Sequence, residues 1–289
     1  MSNNLSDCAP PRALQAWLER GLRQLQAAGR ASARLEAELL LALALNRPRS
    51  HLLAHAEEPL APEAAARYHS LLARAAAGEP LAYLSGQREF WSLTLTVSPA
   101  VLIPRPETEL AVERCLALLA DAPPGARVCD LGTGAGTIAL ALAAEHPTWR
   151  ITATDLSAAA LEVAIANARR LGFANIEFLL GDWLAPVRGR AFELIVSNPP
   201  YIARHDPALE ALRHEPLDAL TPGVTGLESL RRLIQDARAH LRSGGWLVLE
   251  HGAQQREAVA AALVEAGYAR VRCQRDLAGH DRISEGQRP

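Results

Sequence analysis

Apolar residues recur at helical spacing from about Leu14 to Leu84. Leu14, Trp17, Leu18, Leu22 and Leu25 form one stripe, and Leu35, Leu39, Leu40 and Leu43 form a second behind a candidate cap at Ser32. Pro48 interrupts the pattern, Ser50 stands where a short helix needs a cap, and Pro62 opens a further helix with Tyr68, Leu71 and Leu72 facing inward. These stripes predict a small all-α domain over residues 1–85. Its arginines, among them Arg20, Arg23, Arg30 and Arg34, read as a solvated helix face more readily than as a partner contact.

Beyond it the period changes. Phe90, Trp91, Leu93, Leu95 and Val97 partly alternate with polar residues, and with Val101-Leu102-Ile103 they predict a hairpin linker over 86–104 that turns near Ser98-Pro99. Pro106 is placed to open a helix with Glu107 and Glu109 in its first turn. Strand and helix patterns then alternate. Strands are expected at 127–131, 150–154, 176–180, 192–196 and 246–250, helices at 137–145, 158–171, 227–241 and 256–266, and two closing strands at 269–273 and 281–284. Repeated β-α units with short turns predict an α/β domain over 105–289, built on a mainly parallel seven-stranded sheet with both faces covered.

Composition narrows the chemistry. The 289 residues include 49% hydrophobic side chains, enough for a substantial core, and the net charge is −2. That charge argues against a surface made to grip polyphosphate. No Lys occurs, so all basic side chains are Arg. A Walker lysine and Schiff-base chemistry are thereby excluded. Cys8, Cys115, Cys129 and Cys273 are scattered and never form C-x-x-C, which suggests neither a zinc site nor a disulfide framework and fits a reducing compartment. Met1 to Pro11 lacks the pattern of a signal peptide, and no apolar run approaches membrane-spanning length. A cytoplasmic, soluble, monomeric protein is expected.

Candidate chemistry gathers at the carboxyl ends of the predicted strands, where open α/β sheets hold their ligands. Cys129-Asp130-Leu131-Gly132-Thr133-Gly134-Ala135-Gly136 follows the first strand of this domain. Its glycines allow a tight turn and a close ligand approach, but their spacing is not the dinucleotide fingerprint. Asp130 is placed to meet a cationic amino group. Asp155 ends the next strand, where a carboxylate accepts from a ribose diol. Asp182-Trp183 follows the third, where a carboxylate accepts from an adenine amino group and an indole packs on the base. Val196-Ser197-Asn198-Pro199-Pro200-Tyr201 closes the fourth, and its prolines leave an amide and an aromatic ring on a stiff turn. Each has an ordinary alternative: Asp130 and Asp155 as helix caps, Asp182 in a turn, Trp183 in the core, Asn-Pro-Pro as a plain turn signal. Together they fit S-adenosylmethionine, an adenosine carrying a charged amino-acid tail.

With these motifs the chain resembles the Rossmann-like class I methyltransferases, and Asn198-Pro199-Pro200-Tyr201 resembles the signature of those that methylate a planar nitrogen. Phe90-Trp91 and Leu102-Ile103-Pro104-Arg105-Pro106-Glu107-Thr108-Glu109, ahead of Asp130-Leu131-Gly132-Thr133-Gly134 and behind a helical domain, are similar to the bacterial glutamine N5-methyltransferases of peptide chain release factors. The resemblance spans nearly the whole chain. It implies a cofactor site at Asp130, Leu131, Gly132, Thr133, Gly134, Asp155, Asp182, Trp183 and Asn198, with S-adenosylhomocysteine as product. It places the substrate amide at Asn198, Pro199, Pro200 and Tyr201, with Phe90 and Arg105 helping to shape that pocket. The substrate implied is the Gln of the Gly-Gly-Gln loop in class I release factors, gripped by the helical domain.

A glutamine amide nitrogen is a poor nucleophile because its lone pair is delocalised. The Asn198 side-chain oxygen and the Pro199 carbonyl are two acceptors suited to its two hydrogens, and in-line attack on a sulfonium methyl gains chiefly from positioning. Tyr201 and Phe90 are expected to wall off the pocket from water. No metal is needed, and no general base is assigned; Glu250 and His251 read better as structural residues. The alternative is an adenine-N6 methyltransferase acting on DNA or RNA, which meets the same two-hydrogen problem but calls for a basic cleft that this chain does not advertise.

Overall fold

The computed structural model describes residues 13–289; Cys8 and the stretch Met1 to Pro11 lie outside them. Compact packing divides the chain into two units between Gly86 and Gln87, which puts the hairpin with the second unit.

The first unit is helical: α1 (Leu14–Ala27), α2 (Ala33–Leu45), α3 (Arg49–Ala54), α4 (Pro62–Ala76) and α5 (Leu81–Ser85). The core face of α2 differs from the expected leucine stripe. Leu35 and Leu43 are exposed, while Ala37, Leu40, Leu41 and Ala44 are buried. Spacing of three, four and seven puts those four on one side, and the two alanines let α1 and α4 pack closely against it. Ser32 makes no side-chain cap, and Ser50 lies inside α3, which begins after Pro48. Where α1 meets α4, a Cβ on Gly21 would stand 2.0 Å from the Tyr68 hydroxyl. Only glycine fits there.

The second unit opens with a hairpin, β1 (Gln87–Phe90) and β2 (Leu93–Thr96). Its turn is Trp91-Ser92 and not Ser98-Pro99, and Val101-Leu102-Ile103 forms no strand. Both turn residues have positive φ, 52° and 57°, as a two-residue turn between twisted strands demands. Two carboxylates hold this glycine-free turn: the Trp91 N–H donates to Glu109 at 2.9 Å and its indole N–H to Glu145 at 2.7 Å. The outward backbone of β2 is met by side chains. Asn167 accepts from the Thr96 N–H at 2.7 Å and donates to the Thr96 carbonyl at 3.0 Å, and Arg170 donates to the Thr94 carbonyl.

After a 3₁₀ turn at Pro106–Thr108 come α6 (Glu109–Leu118), β3 (Arg127–Leu131), α7 (Thr137–Glu145), β4 (Arg150–Asp155), α8 (Ala158–Leu171), β5 (Ile176–Leu180), β6 (Phe192–Ser197), α9 (Ala208–Ala211), α10 (Glu228–His240), β7 (Leu241–Glu250), α11 (Arg256–Glu265), β8 (Ala269–Arg275) and β9 (Asp281–Gln287). The seven main-sheet strands run β5-β4-β3-β6-β7-β9-β8, parallel except for β9, which is antiparallel to both neighbours. This is the expected α/β architecture, with β7 starting at Leu241 through a register shift against β6. Val128, Ile151 and Val196 bury one sheet face against Leu140 of α7 and Val112 of α6. Leu131, Ile195 and Leu249 bury the other against Leu233 of α10 and Leu263 of α11. Strand order reverses between β3 and β6, so the turns after them splay apart and open a crevice at the carboxyl edge.

Candidate active site

The glycine loop after β3 is tied to its neighbours by its own backbone. The N–H groups of Gly132 and Thr133 both donate to the Thr154 carbonyl, at 2.8 and 3.0 Å, which docks the loop on the end of β4. Gly132 has φ +71°, and a Cβ there would come within 3.1 Å of the Trp183 ring. The loop therefore runs directly beneath the indole.

Asp130 is 1% exposed. Its Oδ2 accepts from the Thr133 hydroxyl at 2.6 Å and from the Ala139 N–H at 3.2 Å, whereas its buried Oδ1 has no partner. Burial pushes the carboxyl up from 3.8 to about 7, against those two hydrogen bonds and with help from the nearby Asp155 charge. Asp155 accepts from the Gly134 N–H at 2.8 Å and from the Ser157 N–H at 2.9 Å. It thus braces the glycine loop against the first turn of α8, where Ser157 caps Ala160 at 3.2 Å. Trp183 has φ 49°, and its carbonyl accepts from the Thr154 hydroxyl at 3.0 Å. Asp182 forms a two-pronged ion pair with Arg232 at 2.7 and 3.2 Å. An adenine amino group would have to share that carboxylate with an arginine.

After β6, Asn198 Nδ2 donates to Thr108 Oγ1 at 3.1 Å, which turns Oδ1 the other way. Pro199 is buried, and the Tyr201 hydroxyl donates to Glu250 Oε1 at 3.3 Å. Burial raises the Tyr201 phenol well above its usual range, with Glu250 adding to the effect. Gln255 clamps this turn from behind, donating to the carbonyls of Tyr201 at 3.0 Å and Gly226 at 3.1 Å.

Two hollows whose linings share Leu102, Gly132, Gly134 and Asn198 lie along this edge. The inner recess, about 40 Å³, is lined by Arg105, Thr108, Asp130, Gly132, Thr133 and Asn198 among others. The outer cleft, about 430 Å³, takes in Gly132, Gly134, Asp155, Trp183, Asn198 and Pro200. That volume lies in the range of small-molecule sites, roughly 300–1,000 Å³. An orphaned carboxylate oxygen in the recess, a second carboxylate and an indole along the cleft, and glycines where a ligand needs backbone access fit an adenosine bearing an amino-acid tail.

Most of the expected site residues therefore come together, with differences. Phe90, 2% exposed, packs in the core with Leu95 and Val112 and lines neither hollow. As the last residue of β1, paired with Leu93 across the turn, it faces inward. Leu131 is fully buried beneath the loop, and Tyr201 sits behind the turn and lines neither hollow. Arg105 borders the recess, but its guanidinium is paired with the buried Glu215, which also accepts from the Ile103 N–H at 3.0 Å. Sequence reasoning missed Glu215, Gln255 and the Pro216, Asp218 and Ala219 lip of the cleft. It named Thr108 within a motif without seeing its role.

Comparison with known proteins identifies the family. The family model described as the PrmC N-terminal domain matches residues 16–86, and that of the methyltransferase small domain matches 113–223. The release factor glutamine methyltransferase of Escherichia coli is 46% identical over 275 residues, 94% of this chain and 98% of the relative. That of Xylella fastidiosa is 48% identical over 258 residues, 89% and 94% of the two chains. In fold, the chain is similar to the T. thermophilus 16S rRNA N2 G1207 methyltransferase solved with AdoMet and guanosine, with a TM-score of 0.53 at 18% identity over 70% of this chain and 50% of that one. Sharing nearly half of its residues with such relatives over 89–94% of its length, and carrying the cleft just described, the chain belongs to the release factor glutamine methyltransferase family.

Proposed function

We propose that this protein transfers a methyl group from S-adenosylmethionine to the side-chain amide nitrogen, N5, of the Gln in the Gly-Gly-Gln loop of class I release factors. The observation that carries the reading is the orientation of Asn198. With Nδ2 engaged by Thr108, Oδ1 is the atom left for the cleft that Asp155 and Trp183 also border. An NH₂ group needs acceptors, and Oδ1 with the Pro199 carbonyl supplies two.

When bound, S-adenosylmethionine supplies an electrophilic methyl on a sulfonium and departs as S-adenosylhomocysteine. Asp130 Oδ1 is suited to its ammonium, Asp155 to its ribose diol, and Trp183 to its base. Asp182 contributes to the base only by sharing its carboxylate with Arg232. Asn198 and Pro199 hold the amide nitrogen so that its lone pair faces the methyl, and Pro200 walls the cleft. Tyr201 acts from behind, through Glu250. The nitrogen sheds its proton readily once alkylated, which is why no side chain is assigned as base. Arg105 serves substrate indirectly, by anchoring the Glu215 segment that carries the cleft's lip.

The same reading makes residues 1–85 the substrate-recognition domain, 86–104 a hairpin linker and 105–289 the catalytic domain. It takes the enzyme as a cytoplasmic monomer that binds release factors and no nucleic acid. The net charge of −2 favours the absence of a nucleic-acid grip, and the free thiols of Cys115, Cys129 and Cys273 favour a reducing compartment. Among the described residues no helix is long and apolar enough to cross a membrane.

The test offers radiolabelled methyl donor with a release factor, its Gln-to-Ala loop variant and duplex DNA in parallel. Label on the intact release factor alone is expected. Label on the Gln-to-Ala variant or on DNA would refute the assignment.

A further inference from the structure

The methyl donor carries a sulfonium that its product lacks, while ammonium, carboxylate, ribose and base are common to both. Fixed charge along the cleft therefore acts on the difference between the two. The linings are acidic with one exception. Asp130 borders the inner recess and Asp155, Asp182 and Asp218 the outer cleft, whereas Arg105 is the one cation on either lining among the described residues. It stands in the recess wall with Asp130 and Asn198, the residues assigned to the cofactor's ammonium and to the substrate amide. Burial chiefly raises the Tyr201 phenol and the Arg105 charge opposes it, so that charge is felt at the amide-binding turn. Left uncompensated, it would oppose a sulfonium and spare a neutral thioether.

Glu215 compensates it. Its side chain is 2% exposed; one oxygen accepts from the Arg105 guanidinium and the other from the Ile103 N–H at 3.0 Å. Neither residue forms a second ion pair among the described residues. A tie between the wall at Leu102 and the lip at Pro216 would need only a hydrogen-bond acceptor, and a neutral glutamine would accept from Ile103 equally well. What the carboxylate adds is a negative charge against the cleft's one cation.

We propose that Glu215 is a specificity-determining residue for the methyl donor: by offsetting the charge of Arg105, it keeps the cleft selective for cationic S-adenosylmethionine over neutral S-adenosylhomocysteine. The inference rests on the cofactor placement given above. Without that offset the product would compete better with fresh donor after each turnover.

Calorimetry on the full-length enzyme tests this, with Kd measured for S-adenosylmethionine and for S-adenosylhomocysteine at about pH 8, where Asp130 is largely ionised. The quantity read is the ratio of donor Kd to product Kd. Glu215→Gln should raise it about 3- to 10-fold, as loss of one charge beside a partly solvated cleft allows. Arg105→Met should lower it by a similar factor, and the double variant should return it to within about twofold of wild type. A role confined to holding the lip acts otherwise: both ligands weaken together and the ratio stays. An unchanged ratio in Glu215→Gln, or a double variant that keeps the shift of Glu215→Gln, overturns the proposal. Should Glu215→Gln not fold, Arg105→Met decides alone, and an unmoved ratio there is the refutation. Failure of the underlying cofactor placement reads differently, since both ligands would then bind Asp155→Ala as tightly as wild type.

Discussion

Asp130 sets cofactor binding against stability, and Asp130→Asn separates the two. In the folded chain its carboxyl is raised from 3.8 to about 7 by burial. A carboxyl raised on folding contributes stability that is complete below the unfolded value and is lost as pH climbs through the folded one. The interval corresponds to about 4 kcal/mol, at roughly 1.4 kcal/mol per pH unit. Between about pH 5 and pH 8 roughly 3 kcal/mol of it should disappear in wild type and not in Asp130→Asn. Urea titrations at the two pH values, read as the difference between the proteins, isolate this residue because Glu250, which burial also raises to about 7, titrates in both. Asn can keep the bonds from Thr133 and Ala139 through its oxygen, which leaves its NH₂ where the orphaned Oδ1 was. That group repels an ammonium. The variant should therefore gain relative stability with pH yet bind S-adenosylmethionine far more weakly, and wild-type affinity should strengthen as pH rises through about 7. A stability difference that is flat in pH, or undiminished cofactor affinity in the variant, would refute the reasoning.

Two further outcomes follow from the same geometry. Asp155→Ala removes a carboxylate that braces Gly134 and Ser157, and should weaken cofactor binding about 10- to 100-fold by calorimetry, the usual range for hydrogen bonds to a charged group; unchanged affinity would remove the ribose assignment. Gly21→Ala forces a methyl onto the Tyr68 hydroxyl and should destabilise the helical unit by about 1–3 kcal/mol in thermal unfolding, with Tyr68→Phe relieving part of the loss; an unshifted Tm would contradict the contact.

Most of the α/β architecture was legible because buried parallel strands announce themselves as short apolar runs with a turn signal after each. The glycine loop, Asp155, Trp183 and Asn198 were legible for the same reason: they end those runs. Other features depended on partners distant in sequence. Glu215 reaches Ile103 across 112 positions, and nothing around it marks a cleft lip. The Trp91-Ser92 turn has no glycine, since Glu109 and Glu145 hold it from other elements, and Ser98-Pro99 carries the stronger local turn signal. Phe90 was misassigned because an aromatic beside a motif looks the same in sequence whether it faces a ligand or a core. On α2 the leucines drew attention from Ala37 and Ala44, whose small size is what the packing uses.

The side chains of α8 that meet β2 have an effect outside the enzyme's chemistry. A two-stranded ribbon ordinarily offers its bare rim to any extended peptide nearby, an invitation to aggregate. Here Asn167 and Arg170 occupy that rim where a third strand would hydrogen-bond, and the Asn167 amide also donates to the Ala135 carbonyl at 3.0 Å. One buried asparagine thus keeps the ribbon from recruiting strangers while fastening it to the glycine loop, so its loss would cost solubility and cofactor-loop order together.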